Sequence, residues 1–148
     1  MRAAFAAGRP LRFDPKAPER DRAVRGELLS SLLTDGGRTG ALRLVGAHVV
    51  GWLALEGAQV DHVVDFLDCT FERPPDLRMA RLVGLRMRGC KVPGLRGRNL
   101  RVGSDLVLEA GFTSDGVVDL TDASVDGTFR LAGAVLRSRR GDHALLAA

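Results

Sequence analysis

The chain has 148 residues, a formal net charge of +4 and an aromatic content of only 5%, with one tryptophan and no tyrosine. Its length suits a single domain, and the modest charge does not by itself call for a polyanionic partner. Two cysteines are too few for a disulfide framework. No window approaches eighteen consecutive apolar residues, so no membrane span is expected and the cytoplasm is the default setting.

Residues 1–20 carry Pro10, Pro15 and Pro18 among mixed charges and read as an extended arm. Arg9, Pro10 and Arg12 interrupt it, so it lacks the apolar centre of a secretion signal. Residues 21–35 read as a helix. Val24, Leu28, Leu29, Leu32 and Leu33 form one apolar stripe opposite Arg22, Arg25 and Ser30. Asp21 is the expected N-cap, and Asp35-Gly36-Gly37 the stop. One amphipathic helix must bury its stripe somewhere, and the end of a repeat stack is the place for it.

From 42 to 139 the chain repeats about every eleven residues, in nine units that begin at Leu42, Leu53, Val64, Pro75, Leu85, Leu95, Leu106, Val118 and Phe129. The clearest copies, Leu42–Val49, Leu53–Val60 and Phe129–Leu136, read apolar-x-apolar-x-Gly-Ala-x-apolar. The third position is apolar in Leu44, Leu55, Phe66 and Leu77, and the eighth in Val49, Val60, Phe71 and Leu82. Later eighth positions include Thr113 and Val125. The sixth is small in Ala47, Ala58, Cys69, Ala80, Cys90, Ala123 and Ala134. A helix fails this pattern, because a glycine in its interior costs roughly 1 kcal/mol. Short strands joined by tight glycine corners fit it, and stacking them pairs each strand with neighbours about 4.8 Å away.

The spacing of a small residue two before a larger apolar one, as in Ala47-x-Val49, Cys69-x-Phe71 and Cys90-x-Val92, resembles the pentapeptide-repeat family. The Gly-Ala form of the unit is similar to divergent repeat proteins of high-GC actinobacteria. The chain departs from the strict family in alternating steps of five and six, and in lacking the usual Asp or Asn after the small residue. The resemblance implies an all-β solenoid, a right-handed quadrilateral parallel β-helix with two units per coil and about four and a half coils, capped by the N-terminal α-helix. Residues 140–148 then form a tail or the start of a further unit.

Aligning the units puts Cys69 and Cys90 on one inward ladder, one coil apart, as structural thiols. His48 and His62 read as surface residues, the latter in a turn, without a catalytic partner. There is no phosphate-binding glycine loop. No metal or cofactor is expected, and the chain does not read as an enzyme.

Charge is distributed in bands. Between Arg73 and Arg101 nine basic residues face the single acid Asp76, whereas Leu42–Glu72 has five acids to one Arg and Asp105–Asp126 has six acids and no base. Either this girdle is a docking surface made of Arg78, Arg81, Arg86, Arg88, Lys91, Arg96, Arg98 and Arg101, or its charges pair across neighbouring coils. The second reading is preferred, since no aromatic residues interleave with the arginines as single-strand binders require. Nucleic acid is therefore the alternative partner, and a uniformly acidic DNA mimic is disfavoured by thirteen bases against twelve acids in the repeats. The expected role is a non-catalytic scaffold for a protein partner, with a homodimer through the uncapped C-terminal end as a further expectation.

Overall fold

The structure, a computed structural model, describes residues 2–35, 41–138 and 143–147. It is a parallel β-solenoid of about five turns whose four walls are columns of short strands. The first wall stacks Leu11–Arg12, Leu42–Val45, Gln59–Leu67, Arg81–Arg88, Leu106–Val107 and Phe129–Arg130. The second stacks Ala23–Arg25, His48–Val50, Thr70–Phe71, Lys91–Val92, Thr113–Ser114 and Val135–Leu136. The third aligns Ala54, Asp76, Leu95–Arg96, Val118–Asp119 and Leu145–Leu146. The fourth is made by the leading residues of Gln59–Leu67 and Arg81–Arg88, then by Arg101–Val102 and Ser124–Val125. Two eleven-residue units thus close one coil, as the resemblance implies.

Every second corner, from the first wall to the second and from the third to the fourth, turns through a residue in the left-handed region. The fifth residue of every unit has positive φ: Gly46, Gly57, Asp68, Met79, Gly89, Asn99, Ala110, Asp122 and Gly133, at 52 to 74°. Glycine reaches this conformation freely, whereas a side chain there costs about 1–2 kcal/mol. Met79 (φ 56°) is exposed, so its side chain contributes little packing in return. Met79→Gly is expected to stabilise the protein by about 0.5–1 kcal/mol, read from chemical denaturation.

The interior is filled by the first, third and eighth residues, among them Leu44, Phe66, Met87, Leu55, Leu77 and Leu85, all essentially buried. Backbone N–H groups of one coil donate to carbonyls of the coil before it, including Thr70 to Ala47, Lys91 to Cys69 and Thr113 to Cys90. These bonds define the ladder of small residues, with Cys69 directly beneath Cys90. Both thiols are free and buried; Cys69 Sγ donates to Leu44 O (3.3 Å) and Cys90 Sγ to Phe66 O (3.4 Å). Hydrogen bonding to Cys69, and then burial, push the Cys90 thiol well above its ordinary range.

Two features correct the sequence reading. The long unit 106–117 takes its extra residue at the corner, where Ala110 and Gly111 are both left-handed. This shifts the register, so Thr113 stands on the outer side and Ser114 and Phe112 are fully buried. Phe112 therefore occupies the small-residue slot above Cys90. At the other end, residues 2–20 are more than an extended arm. A short helix, α1 (Arg2–Ala6), leads into Leu11–Arg12, which pairs with Leu44–Val45 as the first strand of the stack.

The N-terminal helix is likewise shorter than expected. Residues 19–22 form a 3-10 turn and Ala23–Arg25 a strand of the second wall, so the helix proper, α2, is Gly26–Thr34 with Arg25 at its N-cap position. Val24 is buried as a strand residue, and Leu28 faces outward. The remaining stripe (Leu29, Leu32, Leu33) is buried. Gly26 lies against the backbone of Trp52 and Leu53, and Ser30 Oγ accepts from Ala54 N (3.0 Å). Helix α2 thus caps the first end of the stack. The stop at Gly36-Gly37 lies outside the described residues. Toward the other end, Phe129 is 37% exposed although its counterparts Leu85 and Leu106 are buried. Leu145–Leu146 pairs with Val118–Asp119, so the tail carries a strand of the third wall.

Candidate interaction surface

The walls enclose side chains and not a cleft, so the outer surface is where any chemistry must lie. Depressions there are open and small. One of about 230 Å³ is lined by Arg81, Arg101, Ser124 and Asp126, and another of about 220 Å³ by Arg86, Arg88, Asp105, Glu109 and Arg130. Among the described residues no three His, Cys, Asp or Glu side chains are grouped to hold a metal. No described helix is long and apolar enough to cross a membrane.

The girdle runs around all four sides. Arg81 and Arg101 are in register on the fourth wall. Arg86 and Arg88 stand on the first wall, and Lys91 on the second. Arg96 stands on the third, with Arg78 and Arg98 just beyond it at the corner. The eight candidate residues therefore share a level of the stack but no single face.

Three of them are paired across coils or along a strand. Arg78 bonds Asp76 through two nitrogens (2.8 and 2.9 Å) and reaches Glu56 at 3.1 Å. Arg88 reaches Asp65 at 3.4 Å and Arg98 lies 3.8 Å from Asp119. The same pairing continues above the girdle in Arg130 with Glu109 and Arg137 with Asp115. Exposed pairs of this kind contribute little each, but they neutralise the bands that the sequence separates. Arg81, Arg86, Lys91, Arg96 and Arg101 have no carboxylate within ion-pair distance among the described residues.

Asp76 is the most constrained acid of the girdle. Hydrogen bonds from Arg78 hold its carboxyl below the usual range, against the opposing effect of burial. Its folded-state value lies below the unfolded value near 3.9, so its contribution is complete above about pH 4 and is lost as pH falls through the depressed value. Asp76→Asn is expected to melt a few degrees lower than the parent at pH 7, with the gap narrowing as the pH is taken below the ordinary carboxylate range in thermal scans.

Three groups were not foreseen. The indole of Trp52 lies beneath the guanidinium groups of Arg73 (5.8 Å) and Arg96 (5.2 Å). An aromatic does therefore interleave with the arginines, in space and not in sequence. His48 is half-buried, with Nδ1 2.7 Å from Thr70 Oγ1 and Nε2 3.5 Å from Glu19. The same hydroxyl accepts from the buried Arg22 (3.3 Å), which also bonds the carbonyls of Gly46 and Ala17. That network ties the N-terminal segment to the second wall; it presents no exposed nucleophile. His62 is not in a surface turn but buried in the strand Gln59–Leu67, edge-on to Phe5 of α1 at 5.1 Å.

Neither a family model nor a curated protein nor a solved structure matches the chain.

Proposed function

We propose that this β-solenoid is a non-catalytic scaffold whose outer walls bind a protein partner. The observation that carries this reading is that the side chains of each coil fill its interior while its unpaired charges are spread over different walls. A rigid rod with a solid core offers ordered surface, whereas catalysis and small-ligand binding call for a concave site with convergent polar groups. The left-handed corner at the fifth residue of every unit supports placing the chain with pentapeptide-repeat proteins.

Binding of nucleic acid along the girdle is the weaker reading. A duplex or single strand needs a continuous basic track, and the unpaired cations Arg81 and Arg101, Arg86, and Lys91 face three different sides. A specific observation favours self-association as the second reading: Phe129 and Val135 of the last coil are exposed apolar residues.

The test is site-directed photo-crosslinking from one outward position on each wall, in an extract of the source cells. A discrete protein adduct from one wall, kept at about 0.5 M salt where phosphate contacts are screened, supports the scaffold. Recovery of nucleic acid alone, or of no adduct from any wall, overturns it. An adduct between two copies through the last coil selects self-association.

A further inference from the structure

The corner between the second and third walls carries a stripe that the pairing of charges does not account for. Trp52 is 37% exposed there. In the next coils the same position is taken by Pro74, Gly94 and Val117: a Cβ placed on Gly94 would lie 3.1 Å from Val117 O and 3.7 Å from Pro74 Cβ. Pro74 is half-buried and Val117 exposed, and Gly94 is buried between them, with no room for a side chain beside Val117 O. With coils about 4.8 Å apart, the stripe extends ~14 Å along the stack, the length of four or five extended residues. An indole, a proline and an isopropyl group in a line form a shallow apolar track.

Charge selects what can lie on it. Arg73 and Arg96 hold their guanidinium groups over the indole, which orders both long side chains in advance. Neither has a carboxylate within ion-pair distance among the described residues. Three of the nearby acids are already engaged. Asp76 is held by Arg78, Glu72 accepts from Gly51 N (2.7 Å), and Asp115 lies 3.9 Å from Arg137. Tryptophan and arginine together are also the residues that dominate binding energy at protein interfaces.

From this juxtaposition of one exposed indole, two guanidinium groups outside any ion pair and an apolar track, we infer that the Trp52 corner is a docking site for an acidic, aliphatic segment of a partner protein. The inference rests on the scaffold reading and names the face and the chemistry of its partner. Carboxylates of the segment bridge Arg73 and Arg96, and its aliphatic side chains lie against Pro74 and Val117. A nucleic acid is a poorer occupant, because the other unpaired cations lie on other walls and two arginines alone make no phosphate track.

Trp52 is the only tryptophan and the chain has no tyrosine, so intrinsic fluorescence reports on this corner alone. The experiment titrates the full chain with a blocked peptide of alternating Glu and Leu, with its Lys-Leu counterpart, and with oligo(dT). The expected result is a saturable change in Trp52 emission with the Glu-Leu peptide only, weakened about tenfold between low and moderate salt. The exposed double variant Arg73→Glu/Arg96→Glu should lose the Glu-Leu response and gain one to the Lys-Leu peptide. Val117→Asp, which leaves both arginines in place, should weaken Glu-Leu binding at least fivefold. The inference is overturned by the absence of a saturable response to the acidic peptide, by oligo(dT) binding at least as tightly, or by a charge-reversed variant that still binds the acidic peptide. A crosslinked partner on another wall together with a silent Trp52 discards the docking site and keeps the scaffold. Failure to crosslink any partner discards the scaffold whatever the peptide does.

Discussion

Replacing Phe66 by alanine is expected to lower the stability of the protein by roughly 4 kcal/mol. Phe66 is the third residue of its unit, 1% exposed, on the inward ladder between Leu44 and Met87. Its ring meets Phe71 of the second wall edge-on, with centroids 5.2 Å apart. In a core whose other occupants are mainly aliphatic, that pair spans the interior from one wall to the next. Truncation removes the transfer energy of the ring and leaves a void that coils locked by backbone hydrogen bonds cannot close. The carbonyl of Phe66 also accepts from Cys90 Sγ, so the void opens beside the cysteine ladder. Urea denaturation should give a lower midpoint with an unchanged slope, and the melting temperature should fall by about 10 °C. Phe66→Leu keeps most of the volume and should cost nearer 1 kcal/mol. Equal costs for the two variants would mean that the site tolerates a void, contrary to the packing described.

Gly26→Ala is expected to cost about 3 kcal/mol although it adds one methyl group. A Cβ at this position would sit 2.4 Å from both the carbonyl carbon and the oxygen of Trp52, and 2.7 Å from Leu53 N. These are backbone atoms in a hydrogen-bonded stack, so the helix must move and not the wall. Moving α2 breaks the bond from Ala54 N to Ser30 Oγ and uncovers Leu29 and Leu33, which share one core with Leu53 and Leu55. The variant should show reduced helical circular dichroism and bind a hydrophobic dye before global unfolding. Gly57→Ala is the comparison. It has left-handed φ (68°) but nothing within 4 Å of the added carbon, so it should cost only the backbone strain, about 1 kcal/mol. The difference between the two measures the close approach of α2 to the first full coil.

Some of this was legible residue by residue. Inward positions such as Leu44, Leu55 and Phe66 recur at a fixed interval because every coil presents the same interior to be filled. The corners announce themselves because Gly46, Gly57, Gly89 and Gly133 relieve the same left-handed strain. That is enough to place Cys69 under Cys90 before any coordinates exist. The N-terminal strands Leu11–Arg12 and Ala23–Arg25 had no such signal, because two or three residues carry no period and became strands only by docking on Leu44–Val45 and His48–Val50. The error at Thr113 has a similar origin. One inserted residue can be absorbed at several points of a unit, and the burial of Phe112 against the coil below chose among them.

The candidate surface was legible only as a count. The sequence by itself determined that basic residues concentrate between Arg73 and Arg101, that the chain winds in stacked coils, and which side chains point inward. It could not say which outward residues become neighbours, because these are separated by whole coils whose lengths vary by a residue or two. A change of one residue moves a side chain to the opposite side of a strand. The tertiary structure alone decided that Arg78, Arg88 and Arg98 meet acids, that Arg81 and Arg101 do not, and that Arg73 and Arg96 come together over Trp52. Inward patterning is enforced within each unit by burial, whereas outward contacts depend on the summed length of every corner between them.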